Sequence, residues 1–148
     1  MLEEKISKDY VEAMKAKDSL RSSTLNFLRS QLKYVLIDKK MTQLPDMEVI
    51  IVIKKQIKQR QESIEQYQKG GRQDLADKEA AELVILKAYL PQEMSEEELK
   101  KVIEGVIKET QASSIKDMGK VMKAVAEKVS GRADNKVVSD LVKKSLSS

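Results

Sequence analysis

SEEELKKVIEGVI, Ser95 to Ile107, decides the fold. Ser95 followed three residues later by Glu98 is the spacing of a capping box, in which a hydroxyl takes up an orphan backbone N–H at a helix start. The acids Glu96, Glu97 and Glu98 suit the positive end of a helix dipole. Leu99, Val102, Ile103, Val106 and Ile107 then fall at i, i+3, i+4, i+7 and i+8, the one-sided spacing of an amphipathic helix. Such a helix has an apolar face to bury, so neighbours of the same kind are expected.

They follow directly. Ser114 and Asp117 are spaced as a second capping box, and Met118, Val121, Met122, Val125 and Val129 share one face beyond it. Gly131 is the expected C-cap. Asp134 is placed to cap a last helix whose face carries Val137, Val138, Leu141, Val142 and Leu146. Residues 92–148 therefore read as a compact three-helix bundle, close to the smallest size that folds alone.

Upstream the same punctuation recurs. Pro91 ends a helix that carries Leu75, Leu83, Leu86 and Leu90. Gly70 and Gly71 close a longer one, begun at Pro45 and Asp46, in which Ile50, Ile53, Ile57, Ile64 and Tyr67 lie near heptad spacing. A loop over Lys39–Leu44 separates it from a helix capped by Asp18 or Ser19, with Leu25, Leu28, Leu32 and Val35 on its stripe. Leu2, Ile6, Tyr10, Ala13 and Met14 make the face of the first. Residues 1–91 form an N-terminal bundle of about four helices, and the chain is all-α in two sub-bundles.

Composition agrees, and excludes much chemistry. Only two prolines and five glycines interrupt 148 residues, and 35% of them are charged, against 41% hydrophobic. With no His there is no imidazole base or His ligand, and with no Cys no thiol nucleophile or disulfide. No P-loop, G-x-S-x-G, G-x-G-x-x-G or H-E-x-x-H motif occurs. No cofactor and no metal site are expected. The longest apolar run, Val49–Ile53, is far below the ~20 residues that span a bilayer. The N-terminus carries early acids and no apolar core, unlike a signal peptide, so a cytoplasmic protein is expected.

The charge has a location. Residues 1–110 hold 20 basic and 20 acidic side chains, whereas residues 111–148 hold 8 and 4. Lys116, Lys120 and Lys123 lie opposite the Met118–Val129 apolar face at 100° per residue, and Arg132 and Lys136 follow in the next turn. Cations in this arrangement displace counterions from a nucleic-acid backbone, and equally make an ordinary solvated face. A second basic group comprises Lys54, Lys55, Lys58, Arg60 and Arg72, where Glu62 is placed to pair with Lys58. Gly119 and Gly131 are structural candidates: Gly131 as the C-cap, and Gly119 because a glycine inside a helix costs ~1 kcal/mol relative to Ala, with core packing beside Met118 and Met122 expected as the reason ahead of a ligand phosphate. Aromatics do not alternate with these cations, so contact with RNA would be through its backbone and shape.

Three strings carry a resemblance: KQRQESIEQYQKGGRQDLADKEAAEL (Lys58–Leu83), YLPQEMSEEEL (Tyr89–Leu99) and KDMGKVMKAVAEKVSGRADNKVVSDLV (Lys116–Val142). Together they resemble the YqeY-like proteins over nearly the whole chain. From Pro91 onward, Gly119-Lys120-Val121-Met122 and Gly131 with Ala133-Asp134 also resemble the tail of the B subunit of glutamine-dependent tRNA amidotransferase. The resemblance implies four helices then three, and a tail that contacts tRNA without doing chemistry. No residue here matches that enzyme's kinase or amidase sites, so a carbon–nitrogen ligase label would come from the tail alone. The leading expectation is a non-catalytic tRNA-binding or amidotransferase-associated accessory protein, with tRNA or a protein of the tRNA aminoacylation and amidation machinery as partner and no membrane contact. The alternatives are a helical protein-interaction module, built on the long isoleucine-bearing helix, and an enzyme with glutamine-dependent amido transfer.

Overall fold

A computed structural model describes residues 1–147. Seven α-helices follow one another in them, with no strand among the described residues: α1 (Leu2–Lys15), α2 (Ser19–Asp38), α3 (Asp46–Lys69), α4 (Gln73–Lys87), α5 (Glu96–Thr110), α6 (Met118–Val129) and α7 (Asn135–Ser147). A short 3-10 turn, Ile115–Asp117, precedes α6. The chain divides into two compact units, Met1–Leu90 and Pro91–Ser148.

In the first unit α3 packs along α4, α1 packs along α2, and α2 also touches α3 and α4. Ile6, Leu25, Leu28, Leu44, Val49, Ile53 and Leu86 are fully buried between them. Burying a side chain of this size contributes ~1.5–3 kcal/mol. Local rules explain the boundaries. Asp18 caps α2 by accepting from the Arg21 N–H at 3.1 Å. Gly70 caps α3, and Gly71 takes φ +73°, where a side chain would be strained. The end of the α2–α3 connection and the first residue of α3 are both fastened to the start of α1. The Leu44 N–H donates to Glu3 and the Leu2 N–H donates to Asp46, each at 2.9 Å. One acid thus caps the N-terminus of α1, and the other holds Leu44 in the core.

The second unit packs α5 on α6, α6 on α7, and α5 on α7. Its core is Leu99, Ile103, Val106, Val121, Val125, Val129, Val138, Val142 and Leu146. Ser95 caps α5 as its sequence predicts, its hydroxyl accepting from the Glu98 N–H at 3.2 Å. Asp134 accepts from the Lys136 N–H at 3.0 Å at the start of α7. α6 ends with Ser130 at φ +48° and Gly131 at φ +80°, so Gly131 follows the cap residue in the left-handed region.

Some expectations fail for physical reasons. Met14 is 55% exposed and Val137 46%. Met14 sits in the last turn of α1, just before the chain reverses at Lys17 (φ +57°). α5, α6 and the 3-10 turn before α6 cover α7 from one side, and they bury one residue per turn: Val138, Val142 and Leu146. α4 stops at Lys87, not Leu90. Tyr89 and Leu90 continue as a turn, their N–H groups donating to the carbonyls of Leu86 and Lys87.

Candidate nucleic-acid interface

α6 turns Val121, Val125 and Val129 inward. Its opposite side is what solvent meets there, and Lys120 and Lys123 stand on it, with Lys116 in the preceding 3-10 turn. All three are exposed. Lys116 and Lys123 have no acidic partner among the described residues. Lys120 is tied to the fold. Its ammonium donates to the Thr110 carbonyl at 3.2 Å, satisfying an orphan acceptor at the end of α5.

The second capping box forms only in altered form. The Ser114 side chain makes no cap bond. Asp117 instead reaches back and accepts from the Ser113 N–H at 3.0 Å. That bond holds its carboxyl below the usual range, assisted by the Ser114 N–H and by the charge of Lys120. Asp117 therefore stays ionised within the lysine group and offsets part of it.

Gly119 corrects the expectation of core packing. It is exposed, and a Cβ built on it meets nothing within 4 Å. It lies in the first turn of α6 with bare backbone toward open space. Arg132 also differs from a free surface cation. Its Nε donates to the Gln92 carbonyl at 2.8 Å, its Nη2 lies 3.5 Å from Glu98, and its own carbonyl accepts from the Met94 N–H at 2.8 Å. It fastens the segment before α5 to the α6–α7 turn. Lys136, on the first turn of α7, is exposed and its ammonium has no acidic partner among the described residues.

The second basic group does not form one patch. Lys55 and Lys58 are exposed on α3, and the expected Lys58–Glu62 pair is absent among the described residues. Lys54 is partly buried and engaged. The Arg60 side chain is only 12% exposed and lies between α3 and α4, donating to Glu79 at 3.0 Å and to Glu82. Arg72 holds both carboxylate oxygens of Asp74, at 3.1 and 3.0 Å. That side-chain bond raises the Arg72 pKa and lowers that of Asp74. It locks the turn after Gly71.

Charge is also distributed differently by unit than by sequence quarter. The acids of α5 belong with α6 and α7, so Pro91–Ser148 carries eleven basic and ten acidic residues. Met1–Leu90 carries seventeen and fourteen. The free cations of α6 and α7 are a local feature of a nearly neutral unit.

The isoleucine stripe of α3 is not an open groove either. Ile50, Ile53 and Ile57 are buried inside the first unit. Two polar residues share that stripe, and hydrophobic spacing alone does not pick them out. Gln56 and Arg60 occupy i+3 and i+7 from Ile53, which places them on the core face, and Gln56 is 3% exposed. A polar residue interrupting an apolar stripe is the signal that finds them.

A model of the Yqey-like protein family matches residues 3–146. The chain belongs to that family. Among curated relatives, the mitochondrial altered inheritance of mitochondria protein 41 of Vanderwaltozyma polyspora is 39% identical over 85 residues, 57% of this chain and 46% of the relative. Its namesake in Lachancea thermotolerans is 39% identical over 87 residues, 59% and 46%. A protein of Schizosaccharomyces pombe, called uncharacterized, is 36% identical over 90 residues, 61% and 72%. The YqeY-like chain thus spans about half the length of the two yeast mitochondrial relatives. No helix among its described residues is long and apolar enough to cross a membrane.

Proposed function

We propose that this YqeY-like protein is an accessory that binds tRNA through its C-terminal unit and does no chemistry on it. The supporting observation is the exposed ammonium groups of Lys116, Lys123 and Lys136, which have no acidic partner among the described residues, with Lys120 between Lys116 and Lys123 in sequence. Flexible point charges on a rigid bundle contact phosphates without reading bases. Gly119 leaves the first turn of α6 open to a close backbone. The resemblance of residues from Pro91 onward to the amidotransferase B-subunit tail makes tRNA the polyanion of choice, and the tRNA amidation machinery the setting. A cytoplasmic site of action belongs to the same reading, whereas the names of the yeast relatives place those proteins in mitochondria. Filter binding of bulk tRNA to the wild type and to a Lys116→Glu, Lys123→Glu variant tests the proposal. Equal binding by the two defeats it.

A second reading, a protein-interaction module, draws on α2. Tyr34 is 73% exposed and Ile37 69%, apolar area that the first unit leaves uncovered. A specific protein partner recovered after nuclease treatment, and lost with Tyr34→Ala and Ile37→Ala, favours it over RNA binding.

A further inference from the structure

The first unit has a cleft of about 290 Å³ lined by Phe27 from α2, Gln56, Gln59, Arg60 and Ser63 from α3, and Glu79 from α4. Three features make it a built site. The Gln56 side chain is buried, yet neither its amide nitrogen nor its amide oxygen has a partner among the described residues. A buried amide without partners costs ~1–3 kcal/mol, so such groups are normally satisfied. The Arg60 guanidinium is held by two carboxylates, yet its Nε also lacks a partner. Phe27 stands at the cleft 48% exposed, its ring centroid 6.0 Å from the guanidinium carbon.

We propose that this cleft binds an amide group carried beside a positive charge. An amide presents one N–H and one C=O, the complement of the orphaned Gln56 oxygen and nitrogen. The free Arg60 N–H adds a second donor for the carbonyl. Glu79 and Glu82 together outnumber Arg60 by one negative charge, in a site where their side chains are only 25% and 12% exposed. That surplus favours an ammonium group and disfavours phosphate or carboxylate. The half-exposed Phe27 ring offers an apolar face on which the stem of such a ligand packs, and its π face attracts a cation. The volume is near the lower end for ligand pockets and holds about one amino-acid residue. Two sources carry this chemistry: a small amino-acid amide, or a lysine in a partner polypeptide.

The test uses the full chain, with NMR of the Gln56 side-chain amide and the Phe27 ring as readout. Probes are N-acetyl-lysinamide, the uncharged N-acetyl-norleucinamide, N-acetyl-glutamate amide and a lysine-centred hexapeptide. N-acetyl-lysinamide is expected to shift both signals with Kd on the order of 1 mM, a weak affinity suited to a single residue in an open cleft. The uncharged probe is expected to bind several-fold more weakly, and the acidic probe not at all. Gln56→Leu is expected to remove binding with the helical circular dichroism intact. If that variant does not fold, Glu79→Gln decides, by abolishing the preference for lysine over norleucine. A hexapeptide that binds more than about tenfold tighter than the small amide identifies a partner segment as the source; equal affinity identifies the small molecule. No shift at Gln56, equal response to the acidic probe, or unchanged binding by a folded Gln56→Leu chain overturns the proposal.

Discussion

The Tyr89 hydroxyl donates to Asp9 at 2.6 Å, joining the turn after α4 to the middle of α1 across 80 residues of sequence. Asp9 also lies 3.7 Å from Arg21 of α2, and the Lys5 ammonium sits 5.7 Å from the Tyr89 ring centroid. One phenol therefore links three helices of the first unit. It is 7% exposed. Burial, followed by the bond to Asp9, pushes its pKa up to about 12.

Tyr89→Phe is expected to destabilise the first unit by about 2 kcal/mol, the range for a hydrogen bond to a charged acceptor. The pH dependence has a definite sign. A phenol whose folded pKa lies above its unfolded value of about 10 contributes stability fully below that value. The contribution is lost as pH rises through the folded value of about 12. Wild type should therefore lose stability relative to Tyr89→Phe between these two values. All four tyrosines lie in Met1–Leu90, so tyrosine fluorescence during urea unfolding follows this unit alone. Parallel pH profiles for the two proteins would refute the assignment.

Arg60 behaves as a core cation rather than a surface one. Replacing it with Met leaves Glu79 and Glu82 facing each other without a counter-charge. The expected cost is ~3 kcal/mol, the scale of breaking a largely buried pair from one side. Adding Glu82→Gln to that variant should recover part of the loss. A surface lysine such as Lys55, replaced by Met, should change stability by less than about 0.5 kcal/mol. Urea midpoints compare the three, and a neutral Arg60→Met would mean the ion pairs contribute nothing.

Arg132 is expected to act on stability more than on RNA affinity. Removing its side chain frees the Gln92 carbonyl and the contact to Glu98. With a third of the side chain exposed, the cost should be modest, about 1 kcal/mol. Pro91–Ser148 has no aromatic residue, so hydrogen exchange of the α5–α7 amides is the suitable readout. Faster exchange with little loss of tRNA affinity in Arg132→Ala is the predicted pattern; the reverse pattern would make Arg132 a phosphate contact.

The helices are legible in the sequence because their signals are local. Asp18, Ser95 and the Gly70-Gly71 pair act within three or four residues of themselves, and each does so in the structure. Stripes such as Leu25-Leu28-Leu32 need only the helical period. What fails depends on coverage by other helices, as at Met14 and Val137. The candidate site is less legible. Lys116, Lys123 and Lys136 are visible as exposed cations, but Arg60 reads in sequence as one of a surface group. Its partners stand 19 and 22 residues away on α4, beyond any local pattern. Arg132 likewise meets Gln92 across 40 residues. The charge total misleads for a related reason: helix packing, not sequence proximity, decides which acids share a unit with which lysines.

The most direct test of tRNA binding is the salt dependence of bulk-tRNA affinity. If Lys116, Lys123 and Lys136 each contact one phosphate, the log–log slope should be about −2.7, a roughly 40-fold loss of affinity between about 50 and 200 mM salt. Reversing the charge of all three lysines should bring the slope close to zero. A wild-type slope near zero, or a slope that survives those three substitutions, rules out phosphate binding by these lysines.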